Sequence, residues 1–150
     1  MNEMNAQQLN TSGHSAFRLF YHVIFTTKYR RKVIHAEMLQ RLEAVFRETL
    51  EKWRCRLVEF GGEADHVHLL IDAHPALDLS QMIGNLKAVS ARRIRREFAQ
   101  HVRRYYWKPF FWNSAYAIIS VGGRASIETL LRYIQEQQEP PGARAAPPLD

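Results

Sequence analysis

The sequence predicts an α+β domain, an antiparallel sheet with two helices on one face and a further helix at the C-terminal end. Three observations carry this. Strand-like and helix-like hydrophobic patterns follow one another in the order β-α-β-β-α-β-α. The first six of these match the split β-α-β, ferredoxin-like arrangement. The chain has 150 residues, 46% of them hydrophobic, with eight Phe, six Tyr and three Trp, enough for one core in one domain.

The elements follow in order. Residues 1–15 are polar and read as a flexible segment. Phe17 to Thr27 is aromatic and β-branched: Phe17, Leu19, Tyr21, Val23 and Phe25 share one face, and Phe20 and Ile24 partly fill the other. Apolar residues on both faces predict a central strand. Tyr29-Arg30-Arg31-Lys32 is a basic turn. Ala36 to Lys52 is helical, with Leu39, Leu42, Val45, Phe46 and Leu50 on one stripe. Arg56 to Phe60 is the second strand, which Gly61-Gly62 is expected to break and turn into a hairpin with the next. That third strand ends near Asp72. Asp78 or Ser80 caps a helix to about Gln100, with Leu79, Ile83, Leu86, Ile94 and Phe98 as its stripe. Tyr105 to Asn113 is an aromatic loop and Ala115 to Val121 the fourth strand. Gly122-Gly123 turns the chain into a last helix from Ser126 to about Gln138. The main domain is thus 16–138. The tail, 139–150, holds four of the six prolines and is expected to be disordered.

Charge narrows the function. There are 21 Lys and Arg against 15 Asp and Glu, a net +6. That favours an anionic partner, nucleic acid before a membrane surface. No apolar run approaches a membrane span. Met1 to Gly13 has neither the basic start nor the apolar core of a secretory signal. A single cysteine, Cys55, excludes an internal disulfide framework and suits a reducing cytoplasm.

The third strand carries the chemistry. In Asp65-His66-Val67-His68-Leu69-Leu70-Ile71 the two histidines point to one face, while Val67, Leu69 and Ile71 point to the other. A bare His-x-His is short, so two readings stay open: half-exposed strand histidines, or a pair placed to hold a metal. On the last helix Tyr133 and Gln137 lie four residues apart, on one side. A tyrosine oxygen can be a covalent nucleophile and a glutamine carbonyl can be a hard metal ligand; each can equally be a plain surface or interfacial residue. Between Lys87 and Lys108 there are eight Lys or Arg and one acid, Glu97. Tyr105-Tyr106-Trp107-Lys108 sets aromatics beside cations, which suits base stacking as well as phosphate contact.

Five ordered motifs then resemble one family. They are Phe25-Thr26-Thr27-Lys28-Tyr29-Arg30, Asp65-His66-Val67-His68-Leu69-Leu70, Leu86-Lys87 with Ser90-Ala91-Arg92-Arg93, Phe111-Trp112-Asn113-Ser114-Ala115-Tyr116, and Tyr133-Ile134-Gln135-Glu136-Gln137. The chain resembles the single-tyrosine HUH transposases, the TnpA type of the smallest bacterial insertion sequences and related repeat-associated elements. The resemblance implies that 16–138 is a catalytic domain and that His66, His68 and Gln137 hold Mg²⁺ or Mn²⁺. It makes Tyr133 the nucleophile and places Lys28, Arg30, Arg31, Lys87, Arg92 and Arg93 toward DNA. It further implies single-stranded DNA with hairpins at element ends, and a homodimer whose active sites are shared between subunits. Ala64 stands where the family pattern has proline, and Ser120 where threonine is usual; neither removes a catalytic group. A histidine-triad hydrolase would need a third histidine where Leu70 stands. A non-catalytic ferredoxin-like nucleic-acid-binding domain is the alternative that explains the charge without the histidines.

Overall fold

The computed structural model describes residues 10–12, 15–17, 19–120, 131, 132 and 134–136. Two short strands open it, β1 (Asn10–Ser12) and β2 (Ser15–Phe17), paired antiparallel. β1 lies within the segment 1–15. The tail from 139, Gly122-Gly123, Tyr133 and Gln137 lie outside the described residues.

The main sheet has four strands: β3 (Leu19–Thr27), β4 (Arg56–Glu63), β5 (His66–Ala73) and β6 (Trp112–Ser120), in the order β4-β5-β3-β6. Every neighbouring pair is antiparallel. This is the expected ferredoxin-like order, with β3 central. Two long helices, α1 (Ala36–Lys52) and α2 (Leu79–Glu97), share one core with one sheet face. Val23 and Phe25 of β3 and Val67, Leu69 and Ile71 of β5 are buried there. Met38, Leu42, Phe46 and Leu50 of α1 and Met82, Ile83, Leu86 and Ile94 of α2 close over them. Phe25 sits at the centre, 5.8 Å from the Phe46 ring and 5.6 Å from the Trp112 ring. Each buried side chain of this size contributes about 1.5–3 kcal/mol of transfer free energy.

Helix ends follow local chemistry. His35 caps α1, its Nδ1 accepting from the Met38 amide at 3.2 Å. Of the two candidate caps for α2, Asp78 is the one that accepts, from Gln81 N at 3.1 Å. The predicted run to Gln100 is interrupted: Phe98 leaves helical geometry at φ −121°, ψ 42°, and a short α3 (Ala99–Arg103) follows. Phe98 turns to meet the core and the His35 ring, 5.4 Å away.

Three strand boundaries correct the sequence reading. Phe17 belongs to β2, opposite Asn10, and β3 begins at Leu19. β4 runs through Gly61 and Gly62 to Glu63, and the hairpin turns at Ala64-Asp65 instead. The glycines serve close approach rather than turning. A Cβ on Gly62 would lie 2.5 Å from the His66 carbonyl oxygen. β6 begins at Trp112, not Ala115, because Trp112 pairs with Thr27 past an irregularity in the β3 edge.

Candidate active site

The second sheet face is the one that α1 and α2 leave uncovered. Register places His68 opposite Ile24 and Gly61, and His66 opposite Thr26 and Glu63. Both histidines therefore stand on this face, as alternation requires. His66 is buried and His68 half-buried. Gly61 makes room for the second ring: a Cβ there would lie 2.7 Å from His68 Nε2. The notch explains why a glycine stands in mid-strand.

A cavity of about 610 Å³ opens on this face, lined by Arg30, Lys32, Gly62, Glu63, Ala64, Asp65, His66, His68 and Leu131. Leu131 belongs to the last helix, where residues 131, 132 and 134–136 are helical. Ile134 is buried against Ile24 and Ala117, with Leu131 and Ala115 beside them. The described part of the last helix thus packs on the histidine face of its own chain.

Electrostatics prepare both rings. Asp65 Oδ1 lies 3.0 Å from His66 Nδ1, and Arg30 Nη2 reaches Asp65 Oδ2 at 2.8 Å. The hydrogen bond with His66, helped by Arg30, holds the Asp65 carboxyl at about 2. Burial, then the charges of His66 and His22, push the His68 pKa down, which favours the neutral imidazole that metal ligation requires. Two imidazoles, one over a notch a Cβ would fill and the other backed by a carboxylate, fit a divalent ion. Among the described residues no group of three His, Cys, Asp or Glu is gathered to hold one. Gln137, expected as the third ligand, and Tyr133, the expected nucleophile, lie outside the described residues.

The predicted basic residues divide. Lys28 and Lys87 line a groove of about 480 Å³ between α2 and the start of β6, with Phe110, Trp112 and Asn113. Lys28 Nζ stands 5.0 Å over the Phe110 ring. Lys87 Nζ donates to the carbonyls of Asn113 and Ser114, at 2.5 and 2.9 Å. Burial, with Lys28 nearby, lowers its pKa to about 8. Arg30 faces the histidine cavity. Arg31 is 5% exposed and turned inward, onto the Tyr105 carbonyl and between the Tyr29 and Tyr106 rings. Arg92 is exposed on α2. Arg93 faces acids, Glu48 of α1 at 3.6 Å and Glu97 at 3.5 Å. The sequence reading missed Arg95, which lines the groove. Its helical spacing from Lys87 (i, i+8, through Ala91) was the available signal.

The family model for IS200-like transposases matches residues 15–137. The chain belongs to that family. Among curated members, it is 27% identical over 127 residues to the transposase of insertion sequence element IS200 from Salmonella typhimurium, covering 84% of this chain and 83% of that one. It is 30% identical over 125 residues to the ISDra2 transposase TnpA of Deinococcus radiodurans, covering 82% and 86%. A crystal structure of a candidate transposase from Deinococcus radiodurans superposes with a TM-score of 0.71 at 28% identity, covering 91% of this chain and 99% of that one. A REP-associated tyrosine transposase bound to a REP hairpin shares the fold, with a TM-score of 0.52 at 9% identity over 83% of this chain and 68% of that one. Among the described residues no helix is long and apolar enough to cross a membrane.

Proposed function

We propose that this IS200-like transposase cuts and rejoins single-stranded DNA at insertion-sequence ends through a 5′-phosphotyrosine on Tyr133. The observation that carries the reading is the placement of His66 and His68 on one sheet face, His68 over the Gly61 notch, in a cavity that Leu131 of the last helix also lines. In the proposal His66, His68 and Gln137 hold Mg²⁺ or Mn²⁺. Bound there, the ion would supply charge neutralisation at the scissile phosphate and at the departing 3′-oxygen.

The protein's own groups do the rest. Tyr133 hydroxyl gives up its proton as its oxygen attacks phosphorus, the bond from phosphorus to the 3′-oxygen breaks, and that oxygen takes up a proton and leaves as a 3′-hydroxyl, with no net change in protons. The link to tyrosine conserves the phosphodiester's reactivity, so another 3′-hydroxyl can reverse the step and join new strands. Lys28, Lys87 and Arg95 line a groove that holds no acidic residue among the described residues, suited to the phosphates of an unpaired strand. Arg92 adds an exposed cation on α2. The hairpin part of the proposal draws on the REP hairpin bound by the structural relative of the same fold. A homodimer sharing its active sites is also part of the proposal.

The test is covalent trapping. Protein, Mn²⁺ and single-stranded DNA carrying its element ends should give an SDS-resistant adduct, absent in Tyr133→Phe and in His66→Ala. A Tyr133→Phe protein that still forms the adduct would refute the nucleophile assignment. DNA retention with no adduct on the correct ends would instead favour the non-catalytic binding domain.

A further inference from the structure

The basic turn before α1 is strained in a way that has a target. Tyr29 and Arg30 both take left-handed conformations, at φ 60° and 55°. Such conformations are costly for non-glycine residues and persist only where surroundings enforce them. Here the surroundings do. Tyr106 hydroxyl donates to the Lys28 carbonyl at 2.6 Å, Arg31 is clamped on Tyr105, and Asn113 Oδ1 accepts from the Tyr29 amide at 3.4 Å.

The turn aims Arg30 across the hairpin at Asp65. Both Nε (3.1 Å) and Nη2 (2.8 Å) donate to Oδ2. The other oxygen, Oδ1, faces His66 Nδ1 at 3.0 Å. An ionised carboxylate only accepts hydrogen bonds. The proton between Oδ1 and the ring therefore belongs to Nδ1, and in that tautomer Nε2 carries the lone pair. Lys28, two residues earlier, serves the α2–β6 groove, so one turn supplies both regions.

We infer that Arg30 and Asp65 are a positioning pair, which fixes the His66 ring as its Nδ1–H tautomer and presents Nε2 to the cavity shared with His68. The inference deepens the proposed metal site and rests on that reading of His66 for its consequence, though the tautomer is a property of the metal-free protein. It assigns Arg30 to the ligand's support rather than to DNA, the role expected from sequence. Ligand histidines backed by a carboxylate bind metal better because the ring is oriented and made more basic before the ion arrives.

The experiment reads the His66 ring by long-range ¹H–¹⁵N NMR in the metal-free, full-length protein, followed by Mn²⁺ titration. The native ring should be the Nδ1–H form. Asp65→Ala should make Nε2–H the major form, and Asp65→Asn, which keeps the shape but can also donate, should give a mixture. Arg30→Gln should lower the Nδ1–H fraction and Arg30→Lys restore it. Mn²⁺ affinity should fall about 10–100-fold in Asp65→Ala and less in Arg30→Gln. A purely structural role for Asp65 would change stability but not the tautomer. An unchanged tautomer in both Asp65 variants would overturn the inference. Unchanged Mn²⁺ affinity in His66→Ala would overturn the metal reading separately, while the tautomer would still judge the pair.

Discussion

Strand β5 carries two surfaces on eight residues. Val67, Leu69 and Ile71 are fully buried under α1 and α2, in a dry core of aromatic and aliphatic side chains. His66 and His68, on the alternate positions, meet glycine, glutamate, aspartate and arginine instead. The same backbone thus anchors one face by packing and offers chemistry on the other. The lesson is that the site's rigidity comes from the side of the strand that takes no part in it.

This contrast can be broken by mutation. Leu69→Ala should destabilise the fold by about 2–5 kcal/mol, measured by urea unfolding. His68→Ala should change stability by less than about 0.5 kcal/mol, because its loss leaves no core cavity. A large stability loss in His68→Ala would mean that the ring is a core element.

The paired glycines sharpen the same contrast. Gly62→Ala meets backbone, with the His66 carbonyl at 2.5 Å and Val67 Cα at 3.0 Å. It should cost about 1–3 kcal/mol. Gly61→Ala meets only the His68 ring, which can swing away. Stability should suffer less than in Gly62→Ala, while the ring leaves its place, visible as a changed His68 side-chain NMR signal.

Lys87 adds a pH dependence on the groove side. Its ammonium is the disfavoured form in the folded protein, with a pKa of about 8 against an ordinary 10.5. The unfolded chain binds more protons in that window, so this residue's contribution to stability rises with pH from about 8 upward. The charge it offers a phosphate falls over the same range. Affinity for single-stranded DNA should therefore weaken between pH 7 and 9 in the native protein, with a smaller drop in Lys87→Gln. The variant should also show a salt dependence shallower by about one phosphate contact.

The smallest effect is expected where nothing is in the way. Gly84 lies exposed within α2, and a Cβ there meets no atom within 4 Å. Gly84→Ala should raise stability by about 0.5–1 kcal/mol, read as a shift in the urea midpoint.

Local periodicity made much of this legible. The α1 bounds, Ala36 to Lys52, follow from helical spacing, and the two faces of β5 from simple alternation. The central place of β3 follows from apolar residues on both of its faces. What was not legible depends on partners far along the chain. Gly61-Gly62 reads locally as a turn, yet the glycines stay in β4 because His68 and the His66 backbone occupy the space their side chains would need. Phe98 fits the α2 stripe, but the His35 ring and the core draw it out of the helix. Arg31 and Arg93 look like free cations in sequence, whereas Tyr105, 74 residues away, holds the first, and Glu48 of α1 faces the second. Asp65 reads as part of a motif; only its geometry shows that it faces His66 on one side and Arg30 on the other.

The central claim is that the polar face of β5 is a metal site. Its most direct test is Mn²⁺ titration of the full-length protein, followed by electron paramagnetic resonance. One tightly bound ion per chain is expected in the native protein, lost in His68→Ala and in Gly61→Ala and retained in Gly84→Ala. Mn²⁺ binding of native strength in His68→Ala would contradict it.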